Sequence, residues 1–140
     1  MKVISIVGYH KAGKTTLVER LVRELSKHGR VGTVKHTREE VLPLAGDTER
    51  HLNAGAEVTI AVTQTRLIKI IKNTDLKIVL DQLLDEGLDF AVIEGFKESD
   101  LPKIGIGDVA AKNIVARVDI NATAEELAKI AMGQPEYVAK

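Results

Sequence analysis

Short apolar runs alternate along the chain with longer stretches of helical periodicity. Residues 2–7 (KVISIV) form a mostly β-branched run without polar alternation, which is typical of a strand covered on both faces. Residues 14–27 follow with leucine and valine at helical spacing, which predicts a helix. The same patterns predict strands at residues 30–36, 57–63, 89–94 and 113–118. Residues 66–72 fit neither the strand nor the helix period cleanly, and we assign them to a strand. They predict further helices at residues 47–54, 75–86 and 123–132.

This alternation predicts an α/β fold, with a mainly parallel sheet and helices on both faces. A length of 140 residues suits one domain. We expect that domain to span residues 1–132, followed by a loosely held tail at 133–140. The last helix carries a start signal, because Thr123 is followed three residues later by Glu126.

Composition narrows the functional classes. The chain has no cysteine, which excludes a disulfide framework, a thiolate nucleophile and cysteine-ligated metal centres. A net charge of +0 argues against a general nucleic-acid binder. No apolar run approaches the roughly 18 residues of a membrane span, and the first is too short for a signal peptide. We therefore expect a cytoplasmic protein.

The charge is nevertheless uneven along the chain. The first part, residues 1–50, holds ten Lys and Arg against six Asp and Glu, so residues 51–140 carry the compensating negative charge. A solvated surface would explain this asymmetry, and so would an anionic ligand bound by the first part.

The strongest motif lies in that first part. Gly8-Tyr9-His10-Lys11-Ala12-Gly13-Lys14-Thr15 matches G-x-x-x-x-G-K-[ST] and sits between a predicted strand and a predicted helix. The N–H groups of such a loop, including those of His10, Lys11 and Ala12, converge on a phosphate chain. Gly8 and Gly13 permit the close approach, Lys14 supplies a cation, and Thr15 offers a hydroxyl to Mg²⁺. The alternative is a glycine turn that precedes an ordinary helix.

A phosphate loop of this kind usually has an acidic partner at the end of a neighbouring strand. Glu94 follows four apolar residues and precedes Gly95, so we predict that Glu94 is the magnesium acid. Asp89 opens the same predicted strand and should lie about 17 Å away, at ~3.3 Å per residue. A plain surface carboxylate is the alternative for Glu94.

Three further residues are candidates for the same site. Lys35 and His36 end a predicted strand, where Lys35 could meet phosphate and His36 could position water or substrate. Asp47 follows a loop at 39–46 that contains Pro43, and it could reach Mg²⁺ as switch segments do. Solvated strand ends explain the first two equally well, and an N-cap role explains Asp47.

Taken together, the segments GYHKAGKTTL, GTVKH, GDTERHLNAGA, FAVIEGFK and PKI resemble the MobB family, the molybdopterin-guanine dinucleotide biosynthesis protein B family. The resemblance runs from about Met1 to Val118. It implies a P-loop NTPase-like fold that binds GTP and Mg²⁺, with weak GTPase activity at most. It also implies a homodimer that acts as an adaptor to the MobA-like molybdenum cofactor guanylyltransferase.

Carried over by this resemblance, Gly13, Lys14, Thr15 and Thr16 hold phosphates and magnesium, and Lys35, Asp47 and Glu94 complete the polyphosphate site. A catalytic residue is not identified, and Lys14 and Asp47 are the candidates. This sequence departs from the family at Glu49, where an aromatic residue is more usual, and it lacks the [NT]-K-x-D tetrad of many guanine-binding proteins. The preference for GTP therefore depends on the resemblance. Asp119 is either a residue that contacts the base or a residue that forms a turn.

The rival interpretation is a small-molecule kinase that transfers the γ-phosphoryl group of a nucleotide. Such kinases usually have a lid that carries arginines, yet only lysines (Lys97, Lys103 and Lys112) lie between Gly95 and the last predicted strand. A nickel chaperone GTPase would normally bring a Cys/His metal motif, which this cysteine-free chain does not supply.

Overall fold

The computed structural model describes residues 1–37, 46–72 and 75–139, which belong to two compact units. The first unit comprises Met1–Thr37 and Lys77–Lys140, and the second comprises Arg38–Leu76. The strands of the first unit are β1 (Lys2–Val7), β2 (Val31–Lys35), β5 (Phe90–Glu94), β6 (Lys103–Ile106) and β7 (Ile114–Val118). The helices of the described residues are α1 (Lys14–Leu25), α2 (Gly46–Asn53), α3 (Leu76–Asp85) and α4 (Ala124–Met132). Helix α2 belongs to the second unit. The second unit also contains strands β3 (Val58–Val62) and β4 (Leu67–Ile71).

The first unit is built on a five-stranded parallel sheet in the order β2-β5-β1-β6-β7. Helices cover both faces of this sheet. Ile4 and Ile6 of β1 pack with Leu17 and Leu21 of α1 in a buried core that also includes Leu127 of α4. On the other face, the side chain of Leu83 in α3 lies over Gly32 of β2. The predicted α/β fold with a mainly parallel sheet is therefore confirmed.

Strand β6 has no counterpart among the predicted strands. It is four residues long, begins with a lysine and contains a glycine, so its sequence lacks the usual apolar run. Register explains its place: Glu94 at the end of β5 pairs with Ile6, and Lys103 at the start of β6 pairs with Ser5. The chain thus passes from one side of β1 to the other through residues 95–102, without a helix.

The side chain of Lys103 stabilises this short crossover by hydrogen bonds. Its side chain is fully buried, and its Nζ lies 2.8 Å from the carbonyl oxygens of Leu101 and Lys112. The Nζ also donates to the carbonyl of Ser99. Burial lowers the pKa of the Lys103 ammonium below its usual value. The lysine supplies the hydrogen-bond donors that these carbonyls would otherwise lack, because a buried carbonyl needs a partner.

The second unit pairs helix α2 with the antiparallel hairpin β3–β4. The prediction included both strands but did not separate them from the parallel sheet. Val58, Ile60 and Val62 alternate with the less exposed Thr59 and Ala61, so β3 exposes an apolar face. Helix α2 begins at Gly46, which places Asp47 in its first turn and not at the N-cap. Apart from Gly46, the loop predicted at 39–46 lies outside the described residues.

The end of the chain makes specific contacts with the first unit. The backbone N–H of Tyr137 donates to the carbonyl of Met1 at 2.7 Å, and the main chain of Glu136 forms an antiparallel β-bridge with that of Lys2. The Tyr137 hydroxyl donates to Asp81 at 2.8 Å. These contacts depend on the start of β1 and on α3, which the local sequence of residues 133–140 does not indicate.

Candidate phosphate-binding site

The turn between β1 and α1 has the backbone shape that binds an anion. Two of its residues are left-handed, Lys11 at φ 61° and Gly13 at φ 99°. The Ala12 N–H donates to the Tyr9 carbonyl at 3.0 Å and closes a tight turn. Gly13 occupies the N-cap of α1 and has no side chain with which to cap the helix. The N–H groups at the helix start therefore remain available to a phosphate, and the helix dipole favours negative charge there.

The charges in the first turn of α1 also favour the binding of an anion. This turn holds no acidic side chain, although such residues are favourable at most helix starts. Lys14, which begins the helix, folds back so that its Nζ lies 3.2 Å from the carbonyl oxygen of Gly8. The ammonium group is thereby held over the loop. Thr15 and Thr16 follow it and are exposed.

A hydroxyl and a carboxylate meet at the mouth of this loop. The Thr15 Oγ1 donates to the Glu94 Oε1 at 2.9 Å, which joins the first turn of α1 to the end of β5. Asp89 lies at the other end of β5, where its Oδ2 accepts from the Arg30 N–H at 2.7 Å. The structure thus brings Thr15 together with Glu94, and it places Asp89 at the far edge as the sequence predicts.

This pair of oxygen donors fits Mg²⁺. Magnesium prefers hard oxygen ligands and is commonly bound by one or two protein oxygens, with nucleotide phosphates and water completing the octahedron. Within the described ranges, no cluster of three or more His, Cys, Asp or Glu side chains is arranged to hold a metal ion. Thr15 and Glu94 would hold the ion together with phosphate oxygens, and the ion would neutralise charge on the phosphate chain.

Gly95 turns the chain directly after β5. Its φ is 103°, and a Cβ added there would lie 3.1 Å from the Cβ of His36. The glycine therefore permits a left-handed turn against the end of β2.

Lys35 and His36 lie at the same edge of the sheet as Glu94. Lys35 pairs in register with Glu94, and its side chain is exposed. His36 follows it, donates its backbone N–H to the Glu94 carbonyl at 3.0 Å, and stacks its ring on Phe96. Phe96 and the buried Ser5, whose hydroxyl donates to the Gly95 carbonyl, were missed by the sequence analysis. A lone serine inside the apolar run KVISIV was the available signal for Ser5.

Two other candidates are not part of the contact between Thr15 and Glu94. Asp47 lies in the second unit, and its role as a metal ligand remains a prediction. Asp119 forms a turn, because its Oδ1 accepts the Asn121 N–H at 2.7 Å. The next residue, Ile120, packs against the phosphate loop, where a Cβ on Gly13 would meet its Cδ1 at 2.2 Å. This contact gives a second reason for the glycine at position 13.

A parallel sheet, a glycine-rich loop leading into a helix, and a threonine–carboxylate pair at its mouth together define a P-loop nucleotide-binding fold. The sequence model of the MobB family, described as molybdopterin guanine dinucleotide synthesis protein B, matches residues 3–128. This chain therefore belongs to the MobB family.

Individual relatives agree with this assignment. A putative molybdopterin-guanine dinucleotide biosynthesis adapter protein of Methanocaldococcus jannaschii is 39% identical over 110 residues, which cover 74% of this chain and 46% of the relative. The corresponding adapter protein of Haemophilus influenzae is 36% identical over 108 residues, covering 72% of this chain and 60% of the relative. The chain thus spans about half to three-fifths of the length of these relatives.

Solved structures show the same fold. The structure of Bacillus subtilis MobB superposes with a TM-score of 0.67 at 25% identity, covering 84% of this chain and 77% of that one. A MobB homologue from Bacillus stearothermophilus gives a TM-score of 0.64 at 28% identity, with the same coverage of both chains.

Proposed function

We propose that this chain binds GTP with Mg²⁺ at the loop of residues 8–16 and acts as an adaptor in molybdopterin guanine dinucleotide synthesis. Family membership supports the pathway, since the relatives are named adapter proteins of that biosynthesis. The observation that carries the nucleotide part is the 2.9 Å contact between Thr15 and Glu94 beside an uncapped helix start.

Each residue of the proposed site has a distinct role. The N–H groups of residues 8–16 surround the phosphate chain, and Lys14 neutralises its charge. Thr15 and Glu94 hold Mg²⁺, with Asp47 as a proposed further ligand. Lys35, next to Glu94 on the neighbouring strand, would meet the terminal phosphate.

We propose that hydrolysis is slow. Fast GTPases use an arginine or glutamine to stabilise or orient the reacting groups. Here Arg20 donates to the carbonyls of Ile120 and Ala122, and Arg117 donates to those of Gly107 and Val109. These two guanidinium groups already serve backbone carbonyls in the fold, which supports weak GTPase activity at most.

The kinase alternative has less support. The lid of such a kinase usually carries arginines, and between Gly95 and the last strand the chain has only three lysines, of which Lys103 is one. It is fully buried and bound to backbone carbonyls, so it is not free to contact a substrate.

The proposed partners are the MobA-like guanylyltransferase and a second copy of this chain, in the cytoplasm. Support for the homodimer comes from the β3–β4 hairpin, where Val58, Ile60, Val62 and Leu67 are 47 to 74% exposed. Exposed apolar side chains grouped in this way are typical of an interaction surface. Among the described residues, no helix is long and apolar enough to cross a membrane.

Replacing Lys14 tests the phosphate site. Lys14→Ala removes the cation over the loop, and a hydrogen bond to a charged group contributes about 1.5–3 kcal/mol. We therefore expect GTP affinity by calorimetry to fall by roughly 10- to 100-fold. Lys129→Ala, on the exposed side of α4, is the matched control and should bind as the unmodified protein does. Equal affinities of both variants would remove the case for this site.

A further inference from the structure

The rings of His36 and Phe96 stack on each other at the phosphate edge of the sheet. Their centroids are 4.1 Å apart and their planes differ by 13°. His36 directly follows β2 and is exposed, whereas Phe96 follows the turn glycine after β5 and is partly buried. The contact therefore ties the ends of two neighbouring parallel strands together, one residue beyond Lys35 and two beyond Glu94, which form the last main-chain pair.

The backbone beneath this contact is unusual. Gly95 has φ 103° and Phe96 has φ 56°, so two consecutive residues are left-handed. That conformation is unfavourable for a residue with a Cβ, and phenylalanine has no short polar side chain to compensate locally. Strained residues of this kind persist only where their surroundings hold them, and they cluster at functional sites.

Four hydrogen bonds fix the main chain around the same turn. The Gly95 N–H donates to the Ile6 carbonyl at 3.1 Å, and the Ser5 hydroxyl donates to the Gly95 carbonyl. The His36 N–H donates to the Glu94 carbonyl at 3.0 Å, and the Ser99 N–H donates to the Phe96 carbonyl at 3.0 Å. The stack adds a side-chain contact between His36 and the left-handed Phe96.

The carboxylate of Glu94 depends on how the end of β5 is held. Its Oε1 accepts from Thr15 at 2.9 Å, which brings together the two side chains of the proposed magnesium site. The His36 N–H bond to the Glu94 carbonyl links the stack to this strand end, because the ring contact fixes His36 and His36 holds the main chain that carries the carboxylate.

We propose that the His36–Phe96 stack is a positioning device that holds the Glu94 carboxylate at Thr15 and thereby sets the Mg²⁺-dependent part of nucleotide binding. This inference rests on the proposed function, since it assumes that Glu94 acts on magnesium. Neither ring needs to touch the nucleotide. Their effect passes through the hydrogen bond from the His36 N–H to the Glu94 carbonyl.

The test separates positioning from general stability by measuring GTP affinity with Mg²⁺ and with EDTA. In His36→Ala and Phe96→Ala, we expect the gain in affinity from Mg²⁺ to shrink at least about fivefold, because a displaced carboxylate binds the ion poorly. The affinity in EDTA should stay within about twofold, because the phosphate loop is untouched. His36→Phe keeps a stacked pair and should restore the gain. His28→Ala, an exposed histidine after α1, is the control.

Phe96→Gly provides a second variant should Phe96→Ala fold poorly, since glycine accepts the left-handed conformation but has no ring. It should lose the Mg²⁺ gain as well. The proposal is overturned if the alanine and glycine variants keep the full gain, or if affinity falls equally with Mg²⁺ and with EDTA. A wild-type protein without any Mg²⁺ gain would overturn the proposed metal role, and this inference with it. A wild-type gain that survives every substitution would overturn the positioning role alone.

Discussion

Single polar residues inside apolar strands determine much of the local geometry in the first unit. Ser5 is buried between β-branched neighbours, and its hydroxyl holds the Gly95 carbonyl. Lys103 is buried at the start of β6, and its ammonium serves three carbonyls. Both residues interrupt a hydrophobic pattern, and both lie next to the crossover that leaves Glu94. A polar residue that interrupts an apolar strand in this way indicates a position where the side chain hydrogen-bonds to the main chain of a neighbouring segment.

Glu94→Gln tests the role of the strand-end carboxylate. The amide keeps the size of the side chain and can still accept from Thr15, so the fold should be retained. It lacks the negative charge that Mg²⁺ prefers, so we expect the gain in GTP affinity from Mg²⁺ to fall about tenfold, or ~1.4 kcal/mol. Asp89→Asn, at the opposite end of β5, is the matched control, and calorimetry with and without Mg²⁺ is the measurement. If Glu94→Gln responds to Mg²⁺ as the wild type does, its carboxylate is only structural.

At the residue scale, the sequence indicated the residues of the proposed phosphate site better than it indicated the residues that pack around them. The motif of residues 8–15 could be located by its spacing and Glu94 by the apolar run that precedes it, and the binding roles of both remain predictions. Phe96 could not be located, since its role depends on a left-handed turn and on a ring from another strand. Asp47 was interpretable in two ways, and the start of α2 at Gly46 removes the N-cap explanation.

Among the elements, the helix-free crossover from β5 to β6 is the least expected. A connection between parallel strands usually contains a helix, which satisfies its own backbone groups. Residues 95–102 have no such helix, and Lys103 provides the missing donors from the following strand. Strand β6 was difficult to predict because a lysine in the sequence suggests an exposed loop. The carbonyls that allow Lys103 to be buried are known only from the structure.

Lys103→Met tests this explanation of the crossover. Methionine fills a similar volume but leaves the carbonyls of Ser99, Leu101 and Lys112 without their donor. An unsatisfied buried polar group costs about 1–3 kcal/mol, so we expect the free energy of unfolding to fall by about 3 kcal/mol. Lys112→Met, on an exposed side chain of the same region, should change it by less than about 0.5 kcal/mol. Chemical denaturation of both variants provides the comparison, and equal stabilities would show that the ammonium is dispensable.

Two other predicted elements are confirmed, one with a weak local signal and one with a strong one. The strand at residues 66–72 is confirmed as β4, although its sequence fits neither period cleanly. Helix α4 begins with the predicted capping box, in which Thr123 accepts from the Glu126 N–H and the Glu126 side chain accepts in return. The strand order and the separation of the β3–β4 hairpin were beyond local sequence, since both depend on tertiary pairing.

For the whole molecule, the exposed hairpin is the feature that bears most on assembly. Its apolar face includes Val62, which is 74% exposed, paired with Leu67 on β4. Leaving such a face in water is unfavourable, and a second copy of this chain could cover it symmetrically.

Val62→Lys tests the proposed homodimer. A charge in the core of an apolar interface opposes its burial, so we expect the dimer dissociation constant to rise at least tenfold, or ~1.4 kcal/mol. Val138→Lys places the same charge on an exposed valine of the chain end and should leave assembly unchanged. Sedimentation equilibrium measures both. A wild-type protein that stays monomeric at every concentration, or a Val62→Lys variant that dimerises normally, would contradict the proposal.

The central claim is that the loop at residues 8–16 is a magnesium–GTP site. Competition of GTP against ATP for the wild-type protein, at fixed Mg²⁺, tests it most directly. The account predicts that GTP binds at least about tenfold more tightly, a difference of ~1.4 kcal/mol. Equal affinities, or a preference for ATP, would contradict the assignment of GTP and return the kinase interpretation to consideration.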